Sequence, residues 1–241
     1  WDDARVRADN PGANLPAADI TVVARADGSG TSAVFTDYLS KVSPEWKEKV
    51  GKGKSPTWPT GQRSKGNEGV VASVKQNPNT IGYTELVYAE QQKLPVAAVK
   101  NPTGNSAKTP PGTSPNPSPE WVSGASAASL AQTPEDMRVS ITNAAGADAY
   151  PIASYTYVLL YKEQREAAKG KVLVHFLWWG LHDGAPNHGT RIRSMYCVSP
   201  ARYSERQTRL LPNPGNTAPR ARSWPRAAAI LPCASRARSR C

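Results

Sequence analysis

Apolar and polar positions along the first part of the chain follow two periods in turn. Ile20, Val22 and Val23 belong to a β-branched run that predicts a strand. Val34, Phe35, Tyr38, Leu39 and Val42 then recur at helical spacing and predict a helix with one apolar face. Further on, Asn67 to Asn77, stopped by Pro78, predicts a helix, and Ile81-Gly82-Tyr83 and Val96 to Val99 predict strands. The apolar, β-branched and aromatic run Tyr155 to Tyr161 predicts another strand. From Lys171 to Leu181, the residues Val172, Leu173, Phe176, Leu177 and Leu181 share one side of a predicted helix, with Trp178 and Trp179 partly off it. Strand and helix patterns in alternation give an α/β class, and no apolar run approaches the ~20 residues of a membrane span.

The chemistry concentrates where the first strand runs into the first helix, through Arg25-Ala26-Asp27-Gly28-Ser29-Gly30-Thr31-Ser32. Glycine lets backbone approach a ligand, and the first N–H groups of a helix lack intrahelical partners, so donors converge there. Ser29, Thr31 and Ser32 add hydroxyls, and Arg25 adds a planar cation suited to two-point contact with a tetrahedral oxyanion. Asp27 would repel an anion unless its charge is spent on Arg25, whose orientation it would then lock. Spacing excludes other glycine motifs: Ala33 stands where a dinucleotide fingerprint needs its third glycine, Asn67 follows Gly66 where a P-loop needs lysine, and Ser29 lacks nucleophile-elbow spacing. A plain helix cap with a glycine turn is the alternative.

The order of motifs extends well beyond this loop. Trp1-Asp2-Asp3, Asn10-Pro11-Gly12, Leu15-Pro16, Arg25 to Thr31, Tyr38-Leu39, Trp46-Lys47, Trp58-Pro59 and Lys65-Gly66-Asn67-Glu68-Gly69 are followed by Ile81-Gly82-Tyr83, Tyr88-Ala89, Ala149-Tyr150-Pro151-Ile152 and Phe176-Leu177. This series resembles the periplasmic phosphate-binding proteins of phosphate-specific ABC transporters, over about residues 1–100 and 135–184. The resemblance implies a type II periplasmic-binding-protein lobe, a mixed sheet flanked by helices, that closes on dehydrated phosphate without chemical change. It implies phosphate contacts from the Arg25 guanidinium, from the hydroxyls and N–H groups of Ser29 and Thr31, and from the Gly30 N–H, with Asp27 holding Arg25 from behind. It further implies a periplasmic location, delivery of inorganic phosphate to a membrane permease, and neither enzymatic activity nor a cofactor.

The same family pattern places a first lobe ahead of Trp1, so the chain is expected to be a fragment with an incomplete two-lobed architecture. Residues 1–160 would form the second lobe, residues 161–184 a remnant of the return to the first, and residues 185–241 a disordered tail. Absence of roughly four first-lobe hydrogen bonds at ~1.5 kcal/mol each would weaken binding by about four decades. The polar start Trp1-Asp2-Asp3-Ala4-Arg5 has no secretory-signal pattern.

Charge changes the picture only at the other end. All thirteen lysines occur by Lys171, whereas eleven of the seventeen arginines occur from Arg191 onward beside a single acid, Glu205; that stretch carries +10 of the chain's +11. Clustered arginine suggests a non-enzymatic arm for nucleic acid or anionic surfaces as an alternative function, but no aromatic platform or known module accompanies it, and no specific nucleic acid is expected. Disorder, or translation in a shifted frame, fits the lack of periodicity better. Cys197, Cys233 and Cys241 have neither disulfide-framework nor metal-ligand spacing. His175, His182 and His188 lack a third-ligand motif, so no metal site is expected. The proline-rich stretch from Asn101 to Pro119 reads as an irregular connection.

Overall fold

The computed structural model describes residues 1–103, 117–134, 138–158, 160–161 and 164–181. The chain divides into two compact units at Val96 and Ala97, a boundary inside the 1–160 span expected to form one lobe. Residues 185–241, with the arginine-rich stretch and all three cysteines, lie outside the described residues, as do His182 and His188.

The first unit is built on a three-stranded parallel sheet. Its order is β2 (Gln62–Ser64), β1 (Thr21–Arg25), β3 (Thr80–Gly82). Val23 opposes Gln62 on one side and Gly82 on the other, and Arg25 opposes Ser64. With a neighbour on each side, Val23 and Ala24 of β1 are completely buried. The unit also holds the helices α1 (Ala4–Asp9), α2 (Gly30–Val42), α3 (Pro44–Lys49), α4 (Gly66–Gln76) and α5 (Leu86–Gln92); α4 packs on all three strands, α3 on α2 and α5 on α4. The α/β lobe follows the sequence expectation, and all three described strands are parallel, so no antiparallel member of the expected mixed sheet is among them.

Helix α4 covers the sheet through Val70 and Val71, both nearly inaccessible. Gly82 makes that approach feasible, because a Cβ there would stand 2.9 Å from Val70 Cγ1 and 3.0 Å from Val74 Cγ2. In α2 the predicted stripe of Val34, Phe35, Tyr38 and Leu39 is only half-buried and Val42 is exposed, whereas the fully buried positions are the polar Ser32 and Thr36. The reason is a loop laid against them. Thr36 Oγ1 accepts from the Gly53 N–H at 3.0 Å, and the neighbouring Asp37 accepts from Lys52 Nζ at 3.0 Å. Trp46 and Trp58 are packing anchors: Phe35, Tyr83, Trp58 and Trp46 form a run of rings with centroids 4.6, 5.4 and 5.8 Å apart.

The second unit contains α6 (Pro119–Ser129), a 3₁₀ turn (Leu130–Gln132) and α7 (Ala167–Leu181). One cluster gathers Ala125, Ile141, Ala149, Ala153 and Tyr155. Asn101 Nδ2 lies within 3.2 Å of the carbonyl oxygens of Gly146, Ala147 and Ala149, which ties the segment to it. Leu177 of α7 packs with Leu160, Leu173 and Trp178, while Val172 and Phe176 of the same predicted stripe stand open to solvent.

Two expected strands are corrected. Val96 to Val99 and the described part of Tyr155 to Tyr161 join no ladder among the described residues; Val96 is half-exposed, and Tyr155 and Tyr157 pack in the α6 cluster. Helix α6, in turn, has no counterpart in the sequence prediction. Its run Gly124-Ala125-Ser126-Ala127-Ala128-Ser129 offers little contrast between faces.

Candidate anion site

β1 delivers Arg25 at its carboxyl end, where parallel α/β sheets place ligands. The chain then turns through residues 26–29 and enters α2 with Ser29 as N-cap, in extended backbone, its Oγ accepting from the Ser32 N–H at 3.2 Å. The Ser29 N–H donates to the Lys54 carbonyl at 2.9 Å, and the Ser29 carbonyl accepts from Ala33 at 3.1 Å. Of the first N–H groups of α2, those of Gly30 and Thr31 therefore take no protein partner among the described residues. Of the two donors expected from Ser29, the backbone N–H is already used and the hydroxyl proton remains.

Arg25 lies beside this open helix start with its side chain one-tenth exposed. Its Nε donates to Asp27 Oδ1 at 2.9 Å and its Nη2 to Asp27 Oδ2 at 2.5 Å, a two-point ion pair. Asp27 also accepts from the Gly66 N–H at 2.9 Å. Hydrogen bonding to Arg25 first, and to Gly66 second, holds its carboxyl well below the usual range. The same pairing raises Arg25, against the opposing cost of burial, so both groups stay charged.

Two residues that the sequence leaves without a role complete the surroundings. Asn67 is buried at the start of α4 and accepts from Arg25 Nη1 at 2.8 Å. Tyr83 follows β3, accepts from the Arg25 backbone N–H at 3.1 Å and lies 2.6 Å from Ser32 Oγ. Thr31 Oγ1 is 3.5 Å from Asn67 Oδ1 and 3.3 Å from Glu85 Oε1. Local spacing carries no trace of these contacts, since Asn67 and Tyr83 stand 42 and 58 residues from Arg25 and arrive by strand pairing. Their only signal is their place in the glycine-flanked Lys65 to Gly69 motif and in Ile81-Gly82-Tyr83.

The arrangement offers an anion one charged fork, two backbone N–H groups and the Ser29 hydroxyl, with the Thr31 hydroxyl beside them directed to Asn67 and Glu85. Among the described residues no group of His, Cys, Asp and Glu could hold a metal ion, and no helix is long and apolar enough to cross a membrane. Comparison with known proteins places the chain in a family. A family model for the PBP superfamily domain matches residues 1–177. The chain belongs to the PBP superfamily. Within it, the chain is similar to the phosphate-binding protein PstS of Xylella fastidiosa (strain 9a5c), with 41% identity over 184 residues, covering 76% of this chain and 48% of that protein. PstS of Methanocaldococcus jannaschii is 42% identical over 207 residues, covering 78% of this chain and 51% of its own length. PstS of Pasteurella multocida is 41% identical over 184 residues, covering 76% and 51%. This PBP-superfamily chain thus spans about half the length of the curated relatives it matches.

Proposed function

We propose that this chain binds inorganic phosphate as the substrate-binding component of an ABC uptake system. The observation that carries this reading is the pairing of a fixed Arg25 fork with the open start of α2, in a chain whose relatives are named phosphate-binding proteins. Arg25 contributes two-point contact, the N–H groups of Gly30 and Thr31 contribute backbone donors, and the hydroxyls of Ser29 and Thr31 complete the set. Asp27 stays behind the guanidinium, its charge offset by Arg25, so it does not oppose the ligand. A phosphate receptor of this kind works outside the cytoplasmic membrane, in the periplasm, and hands its ligand to a membrane permease without altering it.

Isothermal titration with phosphate tests the reading, using the full chain, an Arg25→Ala variant and a sulfate control at fixed ionic strength. Saturable heat with phosphate that disappears in the variant is the expected result. Absence of phosphate heat from a folded sample, or equal heat from the variant, overturns the proposal.

A further inference from the structure

Arginine has five N–H donors in a rigid fork, and their allocation around Arg25 can be followed one by one. Asp27 takes the Nε proton and one from Nη2, and Asn67 Oδ1 takes one from Nη1. One N–H on each terminal nitrogen is left, enough for a two-point contact with a tetrahedral oxyanion. Asp27 alone does not produce this outcome. A carboxylate on one edge holds the guanidinium through Nε and Nη2 but leaves both Nη1 protons unassigned. The second clamp, at 2.8 Å, removes that freedom, and it comes from a residue only 7% exposed.

We infer that Asn67 is a positioning residue for Arg25, completing a two-sided clamp that leaves one edge of the guanidinium to the ligand. Three contacts suit Asn67 to this task. Its Oδ1 neighbours Thr31 Oγ1 as well as Arg25 Nη1, so one atom ties the cation to the first turn of α2. Its backbone belongs to α4, whose Gly66 N–H donates to Asp27, so both arms of the clamp are referenced to the same helix start. Val70 and Val74 seat that helix against Gly82 of the sheet that carries Arg25, which fixes the clamp relative to the cation. A neutral amide also meets the cation without adding negative charge where an anion binds, which a second carboxylate would do.

The inference rests on the phosphate reading for its purpose, and its test reads orientation separately from binding. In the full chain labelled with ¹⁵N, the guanidinium signals of Arg25, assigned by their loss in Arg25→Lys, are expected to show two separate, slowly exchanging protons on Nη1. Asn67→Ala is expected to merge them and to weaken phosphate binding about tenfold by titration. Asn67→Asp keeps an acceptor in the same place, so separate Nη signals are expected to return while phosphate binding stays weak because of the added charge. Asn67→Ser replaces the alanine variant should that one fail to fold. Separate signals in Asn67→Ala or Asn67→Ser, or merged signals in a folded Asn67→Asp, overturn the role of Asn67. An ordered Arg25 that loosens in Asn67→Ala, in a chain without phosphate heat, supports the clamp and sinks the phosphate reading instead.

Discussion

Helices α2 and α4 both begin at a glycine, both point their starts toward Arg25, and differ in what satisfies those starts. α2 is capped by its own preceding serine, which takes the Ser32 N–H and leaves Gly30 and Thr31 with open donors. α4 has no side-chain cap of its own; its N-cap is Lys65, and the Gly66 N–H is taken by Asp27 from the distant strand-end loop. One start thus keeps two N–H groups without a protein partner among the described residues, and the other is closed by the carboxylate that holds Arg25. A glycine-flanked helix start is an anion site only when no protein carboxylate reaches it first.

Arg25→Lys breaks the comparison hardest. A lysine keeps the charge but offers no fork, so the Asp27 and Asn67 contacts cannot both survive with two donors to spare. Loss of about two decades of phosphate affinity is expected by titration, and an unchanged affinity would remove Arg25 from the site. Acid acts on the closed start next. Because Asp27 sits below its ordinary value of 3.8, its contribution to the folded state is complete above that pH and is lost as pH falls through the lower folded value. Tryptophan fluorescence of the Trp58 stack is expected to report that loss on acidification, and Asp27→Asn to flatten this part of the profile.

Gly66→Ala tests the closed start in its backbone. Gly66 has φ of +71°, and the group nearest an added Cβ is only the flexible end of Glu68, so the cost comes from the left-handed backbone. A loss of about 1–2 kcal/mol is expected in denaturant unfolding. Ser29→Ala removes the cap of the open start and is expected to cost about 1 kcal/mol, with weaker phosphate binding from the lost hydroxyl. The smallest effect sharpens the comparison. Nothing lies within 4 Å of a Cβ added at Gly30, so Gly30→Ala is expected to stay within about 0.5 kcal/mol in stability and to keep its N–H for the ligand. A large affinity loss there would show that the ligand needs space at Gly30 and not only its donor.

Legibility in the sequence followed the range of the interactions. The β-branched run and the helical spacing of Val34 to Leu39 mark β1 and α2 because strand and helix periods are local. The Arg25–Asp27 pair is equally local, two residues apart, and charge logic alone asks for it. The strands expected at Val96 to Val99 and Tyr155 to Tyr161 fail for the opposite reason. A strand needs a partner, and without one among the described residues Val96 stays half-exposed while Tyr155 and Tyr157 pack into the α6 cluster.

By itself the sequence determined β1, α2 and α4, the cation and its carboxylate, the glycine-lined helix start and the family to which they belong. Tertiary structure alone decided that Asn67 and Tyr83 flank the cation, that loop 52–54 uses the Ser29 N–H and fills the polar side of α2, and that Asp27 closes α4. The physical reason is that hydrogen-bond partners tens of residues apart are set by strand order and register. In a parallel sheet, that order emerges only when β2, β1 and β3 come together.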